Sequence, residues 1–398
     1  MRDVLAKYFK GDGVIWGVVI ILSLVSLLAV YSSTGTLAYK SQDASTASYI
    51  MKHFSLLILS LVIIFVVHNI HFKYYSRLSQ ILLFIAFMLL IVTAFMGASY
   101  HQAKRWLILP GIGLTLQTSD FAKLALVMYI ARVLSVKQYT IQYSKEVLGY
   151  LFIPTVLICG TILPANLSTA AILFITAMIL MFIGRVRVKY LLTLMLTGIF
   201  ILSVMIGGLM LSGQKVRIET WENRIENFVG DEGGDDYQLE QSKIAIATGG
   251  IIGKGPGNST QRDFLPYAYS DFIYALIVEE YGFIGGLVVL FLYMFLFYRA
   301  GVIVKKSTRT FGAFLSIGLA LLLVLQAIVN MGVTVHLFPV TGQTLPFVSM
   351  GGSSLIFTSI AIGIILNVSR NVENKSDHAE NAESEDPEYE DGADTEDE

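Results

Sequence analysis

The sequence predicts an all-α, polytopic integral membrane protein with ten transmembrane helices and a large extracytoplasmic loop between helices 7 and 8. Three observations carry that expectation. Of the 398 residues, 55% are hydrophobic and only 15% are charged, too apolar a mixture for a water-soluble chain of this length. The apolar residues gather in ten runs, most of them reaching the ~20 residues a helix needs to cross a bilayer. Lys and Arg divide unevenly between alternate connections, as topology requires.

The runs lie near Val14–Tyr31, Ile50–His68, Leu78–Gly97, Thr118–Ser135, Val147–Leu163, Leu167–Ile183, Val188–Leu211, Phe272–Phe297, Phe311–Val335 and Ser349–Val368. The first could pass for the core of a signal peptide. No small-residue cleavage site follows it and nine further runs do, so it is read as a span. With the amino terminus inside, the short inner segments hold seventeen Lys and Arg, from Arg2, Lys7 and Lys10 to Arg370 and Lys375. The short outer loops hold four: Lys40, Lys52, Lys104 and Arg105. This satisfies the positive-inside rule and places both termini in the cytoplasm. The net charge of -2 conceals an asymmetry, because residues 371–398 carry thirteen acids against Lys375 alone. That tail is too charged to bury a core and reads as disordered. Nothing in this balance points to a nucleic-acid partner.

Small-site chemistry is narrowed by composition. The single Cys159 sits in an apolar run, which excludes an intrachain disulfide or a cysteine metal site. The six histidines show no metal-ligand spacing. No organic cofactor is expected; whether a divalent cation, Mg2+ or Mn2+, takes part is left open.

Four polar stretches face the outer side on this topology. The first is Lys104-Arg105-Trp106, followed by Gln117-Thr118-Ser119-Asp120-Phe121-Ala122-Lys123. Asp120 and Lys123 share a helix face and can form a local pair. Lys123 lies about one turn inside the span, where an unpartnered ammonium is costly. The second is the turn Pro164-Ala165-Asn166-Leu167-Ser168-Thr169, in which Asn166 or Ser168 is a good helix N-cap. The third closes the long loop 212–270, which also carries Arg217 and Arg224. It reads GGIIGKGPGNSTQRDFLPYAYSDFIYALIVEE from Gly249 to Glu280. Its glycines allow close approach of backbone to another group. Lys254, Gly255, Gly257, Ser259, Gln261 and Pro266 lead to Asp271 at the mouth of an apolar run, and Glu279 and Glu280 lie inside that run. Asp271 can serve as a helix cap or as a reactive carboxylate, and the two roles are compatible. GGIIGKG resembles a nucleotide-binding loop superficially, but no Ser or Thr follows Lys254 and no strand precedes it. The fourth runs from Pro339 to Ser354, a Pro- and Gly-rich segment ending in Gly351-Gly352-Ser353-Ser354. Polar, broken backbone at membrane depth is tolerated only where protein buries it or it lines a cavity. Together the stretches describe an outward-facing polar cavity with a path to lipid.

In this order, the four stretches resemble the SEDS family (shape, elongation, division and sporulation). Its members carry Arg-Trp, then Gln-Pro-Ser-Glu-x-x-Lys, a Pro-Asp-Leu-Gly-Thr turn, a Gly-rich loop leading to Leu-Pro-x-x-x-Thr-Asp-Phe-Ile-Phe, and Pro-x-x-Gly-x-x-Leu-Pro-x-x-Ser-x-Gly-Gly-Ser-Ser. The match runs from about Trp16 to Asn367, within a transmembrane domain of residues 1–370. Thr118 and Asp120 replace Pro and Glu; Ala165, Asn166 and Ser168 replace Pro, Asp and Gly; Ser270 and Tyr274 are mild changes. Thr344-Leu345-Pro346 leans toward the FtsW branch over RodA. The resemblance implies a peptidoglycan glycosyltransferase of the bacterial inner membrane that polymerises lipid II, for septal synthesis in cell division. Asp271 would then act as base and Lys123 would keep it ionised. Arg105, Trp106, Gln117, Ser119, Arg217, Arg224, Lys254, Gly255, Gly257, Ser259, Gln261, Pro266, Ser353 and Ser354 would bind substrate, with Asp120, Asn166, Glu279 and Glu280 in the surrounding charge network. Membrane lipid, a class B penicillin-binding transpeptidase and other division proteins are the implied partners. A lipid II flippase or a RodA-like elongation polymerase are the competing readings.

Overall fold

The computed structural model describes residues 10–40, 46–71, 73–100, 103–108, 115–141, 145–211, 224, 237–265 and 268–384. Its helices are α1 (Gly13–Lys40), α2 (Thr46–Asn69), α3 (Lys73–Met96), α4 (Thr118–Val136), α5 (Lys145–Ile162), α6 (Leu167–Ile183) and α7 (Val188–Leu211). After the outer loop follow α8 (Tyr237–Gly249), α9 (Ile273–Lys306), α10 (Thr310–Thr334) and α11 (Gly352–Ser384). Seven of the described helices are long and apolar enough to cross a membrane: α1, α2, α3, α7, α9, α10 and α11. The apolar helices α5 and α6 are shorter. Helix α4 carries Asp120, Lys123 and Arg132 yet is deeply buried, from Ala122 through Ala131 without a break. It packs against α3, α5, α6, α10 and α11 and so occupies the middle of the bundle. Helix α7 is its opposite: Leu192, Leu196, Ile199, Phe200 and Val204 are exposed, the pattern of a helix facing lipid on most of its surface.

Three features depart from the expected architecture, and the first is not helical. A small antiparallel sheet, β1 (Ala98–Tyr100), β2 (Ala103–Ile108) and β3 (Thr115–Gln117), in that order, joins α3 to α4. Trp106 lies opposite both Ala98 and Gln117. These strands are too short for a period-2 signal to stand out. The outer loop contains α8, whose Ser242 hydroxyl donates to the Thr334 carbonyl at 3.3 Å, pinning it to the end of α10. Finally, α11 continues to Ser384. The sequence after Arg370 is rich in Glu, Ala and Asn and meets no Pro or Gly before Pro387, so nothing local stops the helix despite its acidity.

Helix α9 is broken at Gly282, whose φ of 71° and ψ of -173° are non-helical. The break frees backbone groups that must be satisfied within the protein. The glycine loop after α8 does this. Lys254 N–H donates to the Glu279 carbonyl at 3.0 Å and Gly255 N–H to that of Glu280 at 2.9 Å. In return, Phe283 and Ile284 N–H donate to the carbonyls of Gly250 and Ile251, at 2.9 and 3.3 Å. Backbone lies on backbone, and only glycine fits. A Cβ at Gly253, whose φ is +91°, would stand 2.3 Å from the Glu280 carbonyl oxygen. Gly253→Ala is therefore expected to undock this loop at a cost of at least ~1 kcal/mol from the left-handed backbone alone. A lower thermal midpoint in detergent, with faster amide exchange at Lys254 and Gly255, is the outcome to look for.

Candidate active site

The four polar stretches meet at one end of the bundle. Arg105, on β2, donates through Nε to the Ala165 carbonyl at 2.8 Å, joining the first stretch to the second. Asn166 caps α6, its Oδ1 accepting from Thr169 N–H at 3.1 Å, as the sequence allows. Its side-chain amide nitrogen is buried without a partner among the described residues. The Thr169 hydroxyl accepts from Gln343 Nε2 at 2.7 Å, joining the second stretch to the fourth. Ser353 Oγ accepts from Gln117 N–H at 3.3 Å, joining the fourth stretch to the first, and within the fourth Ser354 shares a 2.9 Å bond with Thr344. Gln117 also donates to Ser119 at 3.1 Å. Trp106, Gln117 and Ser119 are half-buried beside these contacts.

Asp271 sits just before α9. The three carbonyls of Tyr269, Ser270 and Asp271 precede the helix and cannot use its ladder. Each has a separate donor: Met350 N–H at 2.9 Å, Ser349 Oγ at 2.5 Å and Asn330 Nδ2 at 2.8 Å. The N-cap position belongs to Phe272, and Asp271 makes no capping bond. Its carboxylate instead accepts from Ser270 Oγ at 2.8 Å. Close-packed protein around the carboxyl pushes its pKa above the usual aspartate value, while the Ser270 bond and the charges of Arg105 and Arg224 pull it back. Gly342 lies alongside, and a Cβ there would stand 3.6 Å from Asp271 Oδ2.

The expected Lys123–Asp271 pairing is not what forms. Lys123 Nζ is 2.8 Å from Asp120 Oδ1 and 2.8 Å from Gln326 Oε1. Both members of the ion pair are buried, so Asp120 is not the water-exposed group the sequence position implies. A buried carboxylate one turn away is the nearer and stronger partner. Lys254, Ser259 and Gln261 are likewise engaged in structure. Lys254 Nζ lies 2.6 Å from the fully buried Glu279. Ser259 and Thr260 hydroxyls and the Gln261 backbone N–H also bond to Glu279. Glu280 accepts from Ser32 on α1. Gly255 and Gly257 both have positive φ, at 91° and 78°, as the turn between Lys254 and Ser259 requires. Arg217 and Pro266 lie outside the described residues. Among the described residues, no group of three or more His, Cys, Asp or Glu gathers as a metal site.

The residues that sequence reasoning passed over are Gln326 and Asn330 on α10. Their signal was available: two amides one turn apart in an otherwise apolar span. A second feature is apolar. An open groove of about 680 Å³ runs between α5, α6 and α7, lined by residues including Val156, Leu163, Leu167, Phe174, Met195 and Leu202. Leu163 and Leu167 flank the turn whose Ala165 carbonyl holds Arg105, so the groove reaches the charged site.

Fold and site together define an integral membrane protein with a charged, partly closed site at one end of its helix bundle and an apolar groove leading to it. The chain belongs to the FtsW/RodA/SpoVE family of cell cycle proteins, whose model matches residues 12–374. It is 32% identical over 379 residues to a Trichlorobacter lovleyi protein named "Probable peptidoglycan glycosyltransferase FtsW", covering 93% of this chain and 96% of the relative. It is also 32% identical to "Stage V sporulation protein E" of Bacillus subtilis, covering 89% and 95%. The fold matches a chain from a structure described as a peptidoglycan synthase complex, with TM-score 0.68 and 23% identity over 91% of this chain and 98% of that one. It also matches Thermus thermophilus RodA, with TM-score 0.64 and 22% identity over 91% and 97%.

The Glu279 cluster generates a test of its own. Glu279→Gln removes the buried charge that collects Lys254 and the loop donors, and breaking one side of such a pair costs up to ~3–5 kcal/mol. Amide exchange over residues 253–263 is expected to accelerate. Unchanged exchange there would show that the backbone contacts alone hold the loop.

Proposed function

We propose that this protein is a peptidoglycan glycosyltransferase that polymerises lipid II on the outer face of the bacterial inner membrane. The observation that carries the reading is Asp271: a carboxylate raised in pKa, fixed through its backbone, with two guanidinium groups acting on it. Such a group is suited to take a proton from a sugar hydroxyl. The acceptor 4-hydroxyl gives its proton to Asp271 as its oxygen bonds to the donor sugar's anomeric carbon. The bond from that carbon to the pyrophosphate breaks, and the undecaprenyl pyrophosphate leaves. Arg105 and Arg224, whose charges act on the carboxyl, would take up the charge on the departing phosphate. The groove between α5, α6 and α7 offers the polyprenyl chain an apolar bed. Lys123 supports the site through Asp120 and Gln326 rather than by direct contact with Asp271.

In this reading α4, α5 and α6 join the seven long helices as spans, giving ten, with both termini cytoplasmic and the loop 212–270 outside. The positive-inside count and the burial of α4 support it. The FtsW-named relatives favour septal synthesis, and the synthase-complex likeness favours a penicillin-binding transpeptidase partner. A flippase would carry lipid II across without forming a glycosidic bond.

Purified protein with lipid II separates these outcomes. Glycan polymer is expected from the native chain, and Asp271→Asn is expected to lose ~10²–10⁴-fold in rate, the usual contribution of a general base. Full polymerisation by Asp271→Asn would overturn the base assignment. The base must be ionised, and its pKa is raised, so activity is lost as pH falls through a value above the ordinary aspartate range. The acid limb of kcat/KM is therefore expected above that range. Arg105→Ala removes a charge that favours the carboxylate and should move the limb higher still.

Topology is tested separately. Asn258 is exposed in the glycine loop. An Asn258→Cys variant should react with an impermeant thiol reagent from outside the inner membrane. Labelling only after permeabilisation would invert the assignment.

A further inference from the structure

The failed Lys123–Asp271 pair leaves a question of how the centre of the bundle bears on Asp271. Two amides on α10 answer it. Gln326 and Asn330 are one turn apart and lie on one helix face. Gln326 accepts from Lys123 Nζ at 2.8 Å and donates to the Thr344 carbonyl at 3.0 Å. Asn330 donates to the next carbonyl, that of Gln343, at 2.7 Å, and to that of Asp271 at 2.8 Å. Two neighbouring carbonyls of the broken Pro339–Ser354 segment are thus held by two neighbouring amides of a buried helix.

We propose that Asn330 is a positioning residue for Asp271, and that with Gln326 it ties the Asp120–Lys123 pair to the reactive carboxylate. The proposal rests on the polymerase reading above.

The side-chain chemistry is selective. Asn330 faces two backbone oxygens, so its nitrogen, with two N–H groups, must point at them; turned over, its oxygen would oppose two acceptors. Ser, Thr or a protonated Asp offers one donor, and Ala none. Gln would reach about one bond too far on a helix 1% exposed at this point. The amide oxygen is left buried without a partner among the described residues. That unpaired oxygen is the cost of keeping both donors. The contact also differs in kind from its neighbours. The Tyr269 and Ser270 carbonyls are held by Met350 and Ser349, which lie on the broken segment itself. Of the three bonds, only that from Asn330 fixes the Asp271 backbone to a membrane-spanning helix. Loss of it leaves Asp271 attached to a segment that has itself lost the Gln343 bond.

Displacing a reacting group by about 1 Å can cost ~10²-fold in rate without affecting substrate binding. In the full-length protein, Asn330→Ala should therefore lower kcat for lipid II polymerisation by ~10–100-fold. Lipid II should still bind with the native stoichiometry and affinity. Asn330→Asp, nearly the same shape, should also lose turnover. Gln326→Ala should lower kcat less, and combining it with Asn330→Ala should cost less than the product of the two effects, as expected for groups in one network. Native kcat in Asn330→Ala overturns the proposal. So does loss of lipid II binding in step with turnover in both Asn330 variants, which makes Asn330 a folding residue only. Failure of the native chain to polymerise lipid II in the same assay would instead remove the polymerase reading on which the proposal rests.

Discussion

Backbone that leaves a helix at membrane depth must find its hydrogen-bond partners inside the protein. That constraint shapes everything near Asp271. The chain breaks regular structure at Gly282 within α9 and again between α10 and α11. In water either break would be solvated at little cost; in a bilayer each open carbonyl or N–H costs several kcal/mol. The first break is closed by the glycine loop, backbone to backbone. The second is closed by side chains: Gln326, Asn330, Ser349 and the hydroxyl of Tyr293, which donates to the Pro346 carbonyl at 2.5 Å. Asp271 is held by the second repair, through Asn330 directly and through Ser349 and Met350 on the residues before it. A reactive group built on irregular backbone gains the rigidity of the bundle in this way.

The buried charges follow a second rule. Asp120 pairs with Lys123, and Glu279 with Lys254; at the other end of the bundle, Asp12 pairs with Arg299 at 2.6 Å. The first pair lies within one helix, and the other two join segments distant in sequence. Asp12 also caps α1, and its backbone N–H donates to Ser369 on α11, so this residue ties the first helix both to α9 and to the last. Asp271 differs. Its hydrogen bond comes from a neutral hydroxyl, while Arg105 and Arg224 act on it as charges. A carboxylate locked into a close ion pair is a poor base, because taking up a proton would break the pair. Asp271 is free of that penalty.

Much of this was legible in the sequence. The apolar runs located the helices, and Asn166 announced its capping role because a cap is a local matter of a few residues. The four polar stretches stood out because polar residues at membrane depth are costly unless used. What the sequence did not show were choices among partners. Lys123 had Asp120 three residues away and Asp271 on another span; the argument that Asp120 would be solvated failed because α4 lies at the centre of the bundle, which linear position does not reveal. Lys254 and Ser259 looked like free ligand groups because Glu279 is twenty or more residues away along the chain. The strands around Trp106 and the helix at Tyr237 were missed for want of length: both are short, and both draw their stability from packing against the bundle rather than from their own pattern.

The separation of Lys123 from Asp271 has a chemical logic on the polymerase reading. An ammonium fixed beside the base would favour its ionised form at all times and lower its proton affinity. Arg105 and Arg224 act on the carboxyl instead, and on the polymerase reading they are also the cations that would receive a pyrophosphate. When no substrate is present, their charge restrains the pKa of Asp271. On that reading, a bound pyrophosphate would offset their charge and loosen their hold on Asp271. The pKa would then rise further, driven by the same burial that raises it already. Asp271 would be a stronger base with substrate bound than without it. Two shared arginines permit that coupling; a dedicated lysine partner would not.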